Sequence, residues 1–440
     1  MAPPLEGLVY FAASDRVHGR ELWRSDGTAE GTFMVKDIGP REGWGSIPLI
    51  GVDGLLYFRA NDGKHGTELW VTDGSSVGTR MVADIRRGPK GSKPVNLIEG
   101  IDVIGDVVYF TARDGIHGRE LWRSDGTAAG TRLVKDIRVG ANDPNPYSLE
   151  HIGDTLFFFA DDGIHGQELW KSDGTRAGTV MVADIAPGPD GADPYYSSVS
   201  ADLLYFRAND GTHGMQLWTS DGTAGGTLPL TSLTPRRGGV NVWGFGALGP
   251  ESFFTLCARR CLLWKTDGTR DGTRPVPGRP DAYSAAYYDV AVVVEAIFFY
   301  AEDELHGAEL WTSDGTPGGT HLLSDIYPGP TSSGPHSFVA VGDRLFFIAT
   351  GAGTGSEVWV SDGTTSGTRL TLDLPPGDTG AFSQYMLAAG SSTIFTAVDE
   401  EHGDALWRSD GTATGTFMVA DVDPWLSAYS IVAPIFVPSP

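Results

Sequence analysis

The side chains of this chain with the reach to move a proton are ten histidines and fifty-six carboxylates. Seven of the histidines, His18, His65, His117, His165, His213, His306 and His402, stand five residues before a tryptophan. A catalytic centre needs unlike groups that converge once, whereas a group that returns at a fixed interval serves the interval. His117 and its counterparts are therefore read as hydrogen-bond braces between strands. Outside that series stand His151, His321 and His336. His321 falls in an outer-strand run. His151, with its neighbour Glu150, and His336 are the candidates for acid–base catalysis. Gln384 and the tyrosines Tyr283, Tyr287, Tyr288 and Tyr385 are the other unique polar groups. No nucleophile elbow, phosphate loop, dinucleotide fingerprint or Ser-His-Asp motif accompanies them.

Metal chemistry is the next possibility. The stretch NDGKHGTELWVTDG is acidic and glycine-rich, but it lacks the regular aspartate spacing of an EF-type calcium loop. The reading is no resident metal and no cofactor, with calcium the one ion such loops would suit. The only two cysteines, Cys257 and Cys261 in LCARRCLLW, are too few for a zinc site. They are expected to form a disulfide, which points to an oxidising compartment.

The positions of these groups are set by a repeat. Trp23, Trp70, Trp122, Trp170, Trp218, Trp264, Trp311, Trp359 and Trp407 recur at spacings of 46 to 52 residues, each inside W-x-x-D-G-[TS]-x-x-G-T. An internal period of this length means a propeller, a solenoid or an array. Between residues 94 and 139 the unit reads as four short β-rich runs divided by Gly, Asp or Asn, with no helical period. The 60 glycines and 27 prolines likewise favour tight turns over helices. Four antiparallel strands per unit is a propeller blade. The expected fold is thus an all-β propeller of nine four-stranded blades, a single domain over 1–440. The first unit begins at its second strand, GLVYF, and the C-terminal WLSAYSIVAP resembles the missing first strand. That strand should join the three N-terminal ones and close the ring.

Within the unit, Trp122 is expected to wedge between blades. Asp125 and Gly126 start a turn, the carboxylate accepting from the backbone two residues on and the glycine supplying positive φ, and Gly130 and Thr131 finish it. Unit six is shortened, its HG turn replaced by CARRC.

Variation between units concentrates at the start of the first strand, in segments such as NPYSLEHIG, DPYYSSVSA, GVNVWGFGA and GPHSFVAVG. Aromatic rings beside amides and carboxylates suit a carbohydrate or peptide. The candidate binding residues are Trp44, Tyr147, Tyr196, Trp243, Tyr283, His336, Gln384, Tyr385, Trp425 and Tyr429, expected at the mouth of the central channel.

The words ELWRSDGTAEGT, ELWKSDGTRAGT and ELWTSDGTPGGT, with HG upstream and VKDI or VADI downstream, resemble the bacterial ELWxxDGT repeat proteins over essentially the whole chain. The resemblance implies a secreted or surface propeller and supplies no catalytic residue. It is weakest in units five, six and eight, where Gln216 and Leu262 replace the glutamate and Ser232 the aspartate of KDI. The formal charge of −24 disfavours nucleic acid, and no basic patch is evident in the sequence. No run approaches the ~18 apolar residues of a membrane span. The expected role is a non-catalytic, extracellular, cell-surface or periplasmic binding protein, monomeric, with a carbohydrate, peptide or cell-surface protein as ligand. The alternative is a hydrolase, lyase or oxidoreductase with its site at the channel mouth.

Overall fold

The computed structural model describes residue 5 and residues 7–15, 17–40, 45–95, 100–140, 142–233, 240–258, 261–276, 290–374, 386–399, 401–421 and 432–438. They form nine four-stranded antiparallel sheets, the blades of a β-propeller, with no helix among them. In eight blades the four strands are consecutive in sequence. Blade 3 is representative, with Ile101–Ile104, Val107–Arg113, Arg119–Ser124 and Arg132–Lys135. Blade 1 takes Gly7–Asp15, Gly19–Ser25 and Phe33–Lys36 from the N-terminus and Val432–Pro438 from the C-terminus. The pairing Gly7↔Pro438 and Val9↔Phe436 covers the edge of the first of these, as expected of a closed ring. The joining strand begins at Val432; the aromatic part of WLSAYS precedes it and lies outside the described residues.

The chain divides into two compact units, each with its own core. One is Ile38–Val242 with Gly268–Thr273, which carries blades 2 to 5; the other is Met1–Asp37, Trp243–Asp267 and Arg274–Pro440, which carries blades 6 to 9 and 1.

Burial explains the strand patterns. The second strand of blade 4, TLFFFAD, is buried at five consecutive positions because both its faces meet neighbouring blades. A strand covered on both faces reads as a continuous apolar run. The fourth strand, RLVK in blade 3, is covered on one side and alternates. The repeat tryptophans wedge between blades as expected. Trp170 joins Tyr109 and Leu121 of blade 3 with Leu156 and Phe158 of its own blade, and Trp122 joins Tyr57 and Leu69 of blade 2.

The Asp-Gly turn also follows its expected chemistry. Asp125 Oδ1 accepts from the Thr127 N–H at 2.9 Å and from the Thr127 hydroxyl at 2.7 Å. Gly126 has φ +81°, and a Cβ there would lie 2.7 Å from the Tyr57 hydroxyl of the preceding blade. Gly130 has a different reason. A Cβ on it would sit 2.0 Å from Asp125 Oδ1, so its bare face is where the turn carboxylate folds in. The shortened hairpin of blade 6 is closed by the Cys257–Cys261 disulfide across a directly paired position.

Candidate functional site

The groups that could do chemistry in every blade are committed to its turns. His117 Nδ1 donates to Asp114 Oδ2 at 2.6 Å, and Asp114 Oδ1 accepts from the backbone of Ile116 and His117. The pattern returns at His65–Asp62, His165–Asp162, His213–Asp210 and His306–Asp303. The histidine therefore braces the hairpin between the second and third strands, three residues from its partner, and not one strand to another. Burial of Asp114 opposes ionisation, but the hydrogen bonds from His117 and Ile116 outweigh it and hold the carboxyl below its ordinary range. The acidic loop considered for calcium is used the same way. Asp62 serves His65, and Asp73 accepts from the Ser75 N–H and hydroxyl.

The glutamate of ELW has a role that its strand position does not announce. Glu68, Glu120, Glu168 and Glu309 are almost completely buried. Glu309 accepts from the Ile326 and Tyr327 amides at 2.9 and 3.2 Å and from the Ser333 amide and hydroxyl at 3.1 and 2.6 Å. Each glutamate thereby clamps the loop that leaves the fourth strand for the next blade. Loss of water pushes Glu68 and Glu168 up to about 7. Glu120 is pushed up to about 9, by burial first and by the nearby Asp136 carboxylate. Gln216 does the same work in blade 5, its Oε1 accepting from Leu233 N–H at 3.0 Å and its Nε2 donating to the His213 and Leu233 carbonyls.

The clamped loops deliver the variable first strands. Pro146, Pro194 and Pro335 precede Tyr147–Ile152, Tyr195–Ser200 and His336–Val341, and each strand slips register near its start. Ser148, Tyr196 and Ser337 occupy the bulge with φ of +52°, +56° and +57°. The residue equivalent to Tyr147 in blade 5 is thus Tyr195 and not Tyr196, because the double tyrosine moves the apparent alignment by one. Tyr195 is half exposed and lies 5.7 Å from the Arg207 guanidinium. Tyr147 packs on Phe159, and its hydroxyl donates to the Pro194 carbonyl at 2.5 Å. Trp243 is half-buried at the start of blade 6, and His336 Nδ1 donates to the Gly334 carbonyl at 2.9 Å. Trp44, Tyr283, Tyr287, Tyr288, Gln384, Tyr385, Trp425 and Tyr429 lie outside the described residues.

One pairing joins unlike groups from neighbouring blades. His151 Nδ1 lies 2.8 Å from Asp102 Oδ2, with the histidine side chain 45% exposed and the aspartate 16%. Burial pushes Asp102 up, against the hydrogen bond from His151. Glu150 stands on the same strand, half-buried and paired with Phe157. Asp102 is a lone aspartate in IDVIG. Only the juxtaposition of the two first strands brings it to His151, so no local signal marks it.

A second feature is a cluster of cations on one loop. Arg86, Arg87 and Lys90, from the DIRRGPKG loop of blade 2, line a cleft of about 800 Å³ together with Ile116 and Trp122 of blade 3. Among the described residues no group of three or more His, Cys, Asp or Glu side chains is placed to hold a metal ion. No helix among them is long and apolar enough to cross a membrane.

No family profile and no curated protein sequence matches the chain. Solved structures with similar architecture include a puromycin hydrolase, at 14% identity and TM-score 0.39 over 90% of this chain and 61% of that one. They also include a prolyl endopeptidase, at 12% identity and TM-score 0.43 over 82% of this chain and 53% of that one. The chain thus spans between half and two thirds of the length of these proteins, and no residue role is taken from them.

Proposed function

We propose that this chain is a non-catalytic binding protein that works outside the cytoplasm and presents variable loops, on a repeated scaffold, to a carbohydrate ligand. The observation behind this is a division of labour. The repeated glutamates are turned inward onto backbone amides, as Glu309 is onto Ile326, Tyr327 and Ser333. The side chains that differ between blades, such as Tyr195 and Arg87, face water. A rigid frame with varied, exposed loop positions is how scaffolds of this kind recognise ligands. The resemblance to ELWxxDGT repeat proteins and the disulfide of blade 6 favour the extracytoplasmic setting. The test is to equilibrate the protein with a panel of oligosaccharides and peptides and weigh what is recovered. A binder returns its ligand at unchanged mass; a cleaved or modified ligand sinks the reading.

A second reading rests on Asp102 and His151. An aspartate that orients the Nδ1 of an exposed histidine leaves Nε2 able to take a proton from a bound substrate. Turnover of any panel compound that disappears in His151→Gln, with the ligand still bound, would make the enzyme reading the stronger one.

A further inference from the structure

We propose that the cleft between blades 2 and 3 is a binding site for an anionic oligosaccharide, one that carries sulfate esters or uronate carboxylates, held by Arg86, Arg87 and Lys90. The inference deepens the proposed binding role and rests on it.

The repeat supplies its own comparison. The loop after the fourth strand reads RRGPKG in blade 2, RVGAND in blade 3, APGPDG in blade 4 and YPGPTS in blade 7. Blade 2 therefore places three cations where blade 3 has one and blades 4 and 7 have none. The difference extends to their partners. In blade 3, Arg138 crosses Gly163 of the next blade's hairpin and its guanidinium meets Asp161 at 2.6 Å. In blade 2, Arg86 crosses Gly115 in the same way. The position of Asp161 is there occupied by Arg113, since Asp161 pairs with Gln167 and Arg113 with Arg119 at the same step of the ladder. Arg113 is itself held by Asp143. Among the described residues no carboxylate forms an ion pair with Arg86, Arg87 or Lys90. The cleft also contains Asp84 and Asp114, but Asp114 is committed to His117. On a chain of net charge −24, three cations gathered on one loop are a local reversal of sign that an anion can use.

The shape of the cleft narrows the class. Its volume of about 800 Å³ lies within the ~300–1,000 Å³ typical of ligand pockets. The lining also includes the Ile116 side chain, which is 67% exposed, and Trp122, which is largely buried between the blades. An exposed apolar side chain beside three cations suits a sugar that bears an anion. A long nucleic acid would meet a chain of net charge −24.

The experiment compares the wild-type protein with a variant carrying Arg86→Ala, Arg87→Pro and Lys90→Asp, which gives blade 2 the loop that blade 4 already folds. Calorimetry with a heparin-derived tetrasaccharide, a tetragalacturonate and neutral maltotetraose reads the affinity, and the melting temperature confirms the fold. We expect one or both anionic sugars to bind, with Kd raised at least ~10-fold in the variant and falling affinity at higher salt, and maltotetraose not to bind. Equal binding of maltotetraose, or affinities unchanged in the variant, would overturn the assignment of the cleft and leave the carbohydrate-binding role standing. Failure of both anionic sugars to bind the folded protein overturns it too, and the wider panel then judges the binding role separately. Displacement of the bound sugar by inorganic sulfate at equal concentration would show a simple anion site and refute the carbohydrate class.

Discussion

Replacing Glu120 by glutamine should make the protein progressively more stable, relative to the wild type, as the pH rises. Glu120 is fully buried, and Oε1 accepts from the Ile137 and Arg138 amides at 3.0 and 3.3 Å. In blades 2 and 7 the second oxygen is met by a serine hydroxyl, from Ser92 and Ser333. The same position in blade 3 is Pro144, which has neither a hydroxyl nor an N–H, and Oε2 is left beside Asp136. The carboxyl is thus pushed up from 4.5 to about 9. Between those values the native state holds a proton that the unfolded chain has released, so stability falls with rising pH, by about 1.4 kcal/mol per pH unit. From pH 6 to pH 8 this one group costs the wild type about 3 kcal/mol. Glutamine carries no such proton, and Gln216 already fills the equivalent site in blade 5 with its amide bonded to two carbonyls. Urea unfolding of both proteins at pH 6, 7 and 8 measures the gap. It should widen in favour of Glu120→Gln by about 3 kcal/mol over that range. Glu168→Gln should gain only up to pH 7, because Glu168 rises only to about 7. A gap that is constant with pH would mean that Glu120 is ionised in the folded protein.

Three further outcomes follow from the packing. Trp170→Ala removes a wedge shared by blades 3 and 4 and should cost about 3–5 kcal/mol in urea unfolding; a cost near that of a surface substitution would remove the inter-blade role. Gly130→Ala drives a methyl into the Asp125 carboxylate and should cost about 1–3 kcal/mol, with a strongly sub-additive double variant Asp125→Ala/Gly130→Ala. Deleting Val432–Pro438 exposes the edge of Gly7–Asp15 and should produce association in size-exclusion chromatography; a monomer of unchanged melting temperature would deny the closure.

The parts of this molecule that could be read from the sequence are those whose partners are close in the chain. The Asp125 turn is closed within two residues, and the tryptophan wedge follows from a period that any blade must satisfy. The histidine brace was legible as structural, but its direction was not, because Asp114 and a neighbouring strand are equally plausible partners for His117 until the hairpin is folded. The glutamate clamp reaches 17 to 24 residues ahead, from Glu309 to Ile326 and Ser333, and alternation along a strand says nothing about that distance. The equivalence of Tyr195, rather than Tyr196, with Tyr147 is hidden by the double tyrosine, and only the strand pairing to Arg207 and Phe159 fixes it.

The candidate ligand site was harder to see for a related reason. A repeat directs attention to what recurs, yet a recurring residue is retained by a need that every blade shares, which is folding. Function has to reside where one blade breaks its partnership. Arg138 and Asp161 show the partnership intact, while Arg86 and Arg113 show it broken by a single exchange of sign. The replacement of the glutamate in blade 5 by Gln216 is a break of another kind, because the neutral side chain still accepts from the Leu233 amide as Glu309 does from that of Ile326. The distinction is testable in kind: repairing a structural break changes stability, whereas Arg113→Asp combined with Asp143→Gly, which gives blade 3 the residues that blade 4 has as Asp161 and Gly191, should pair Arg86 and lower sugar affinity without lowering the melting temperature.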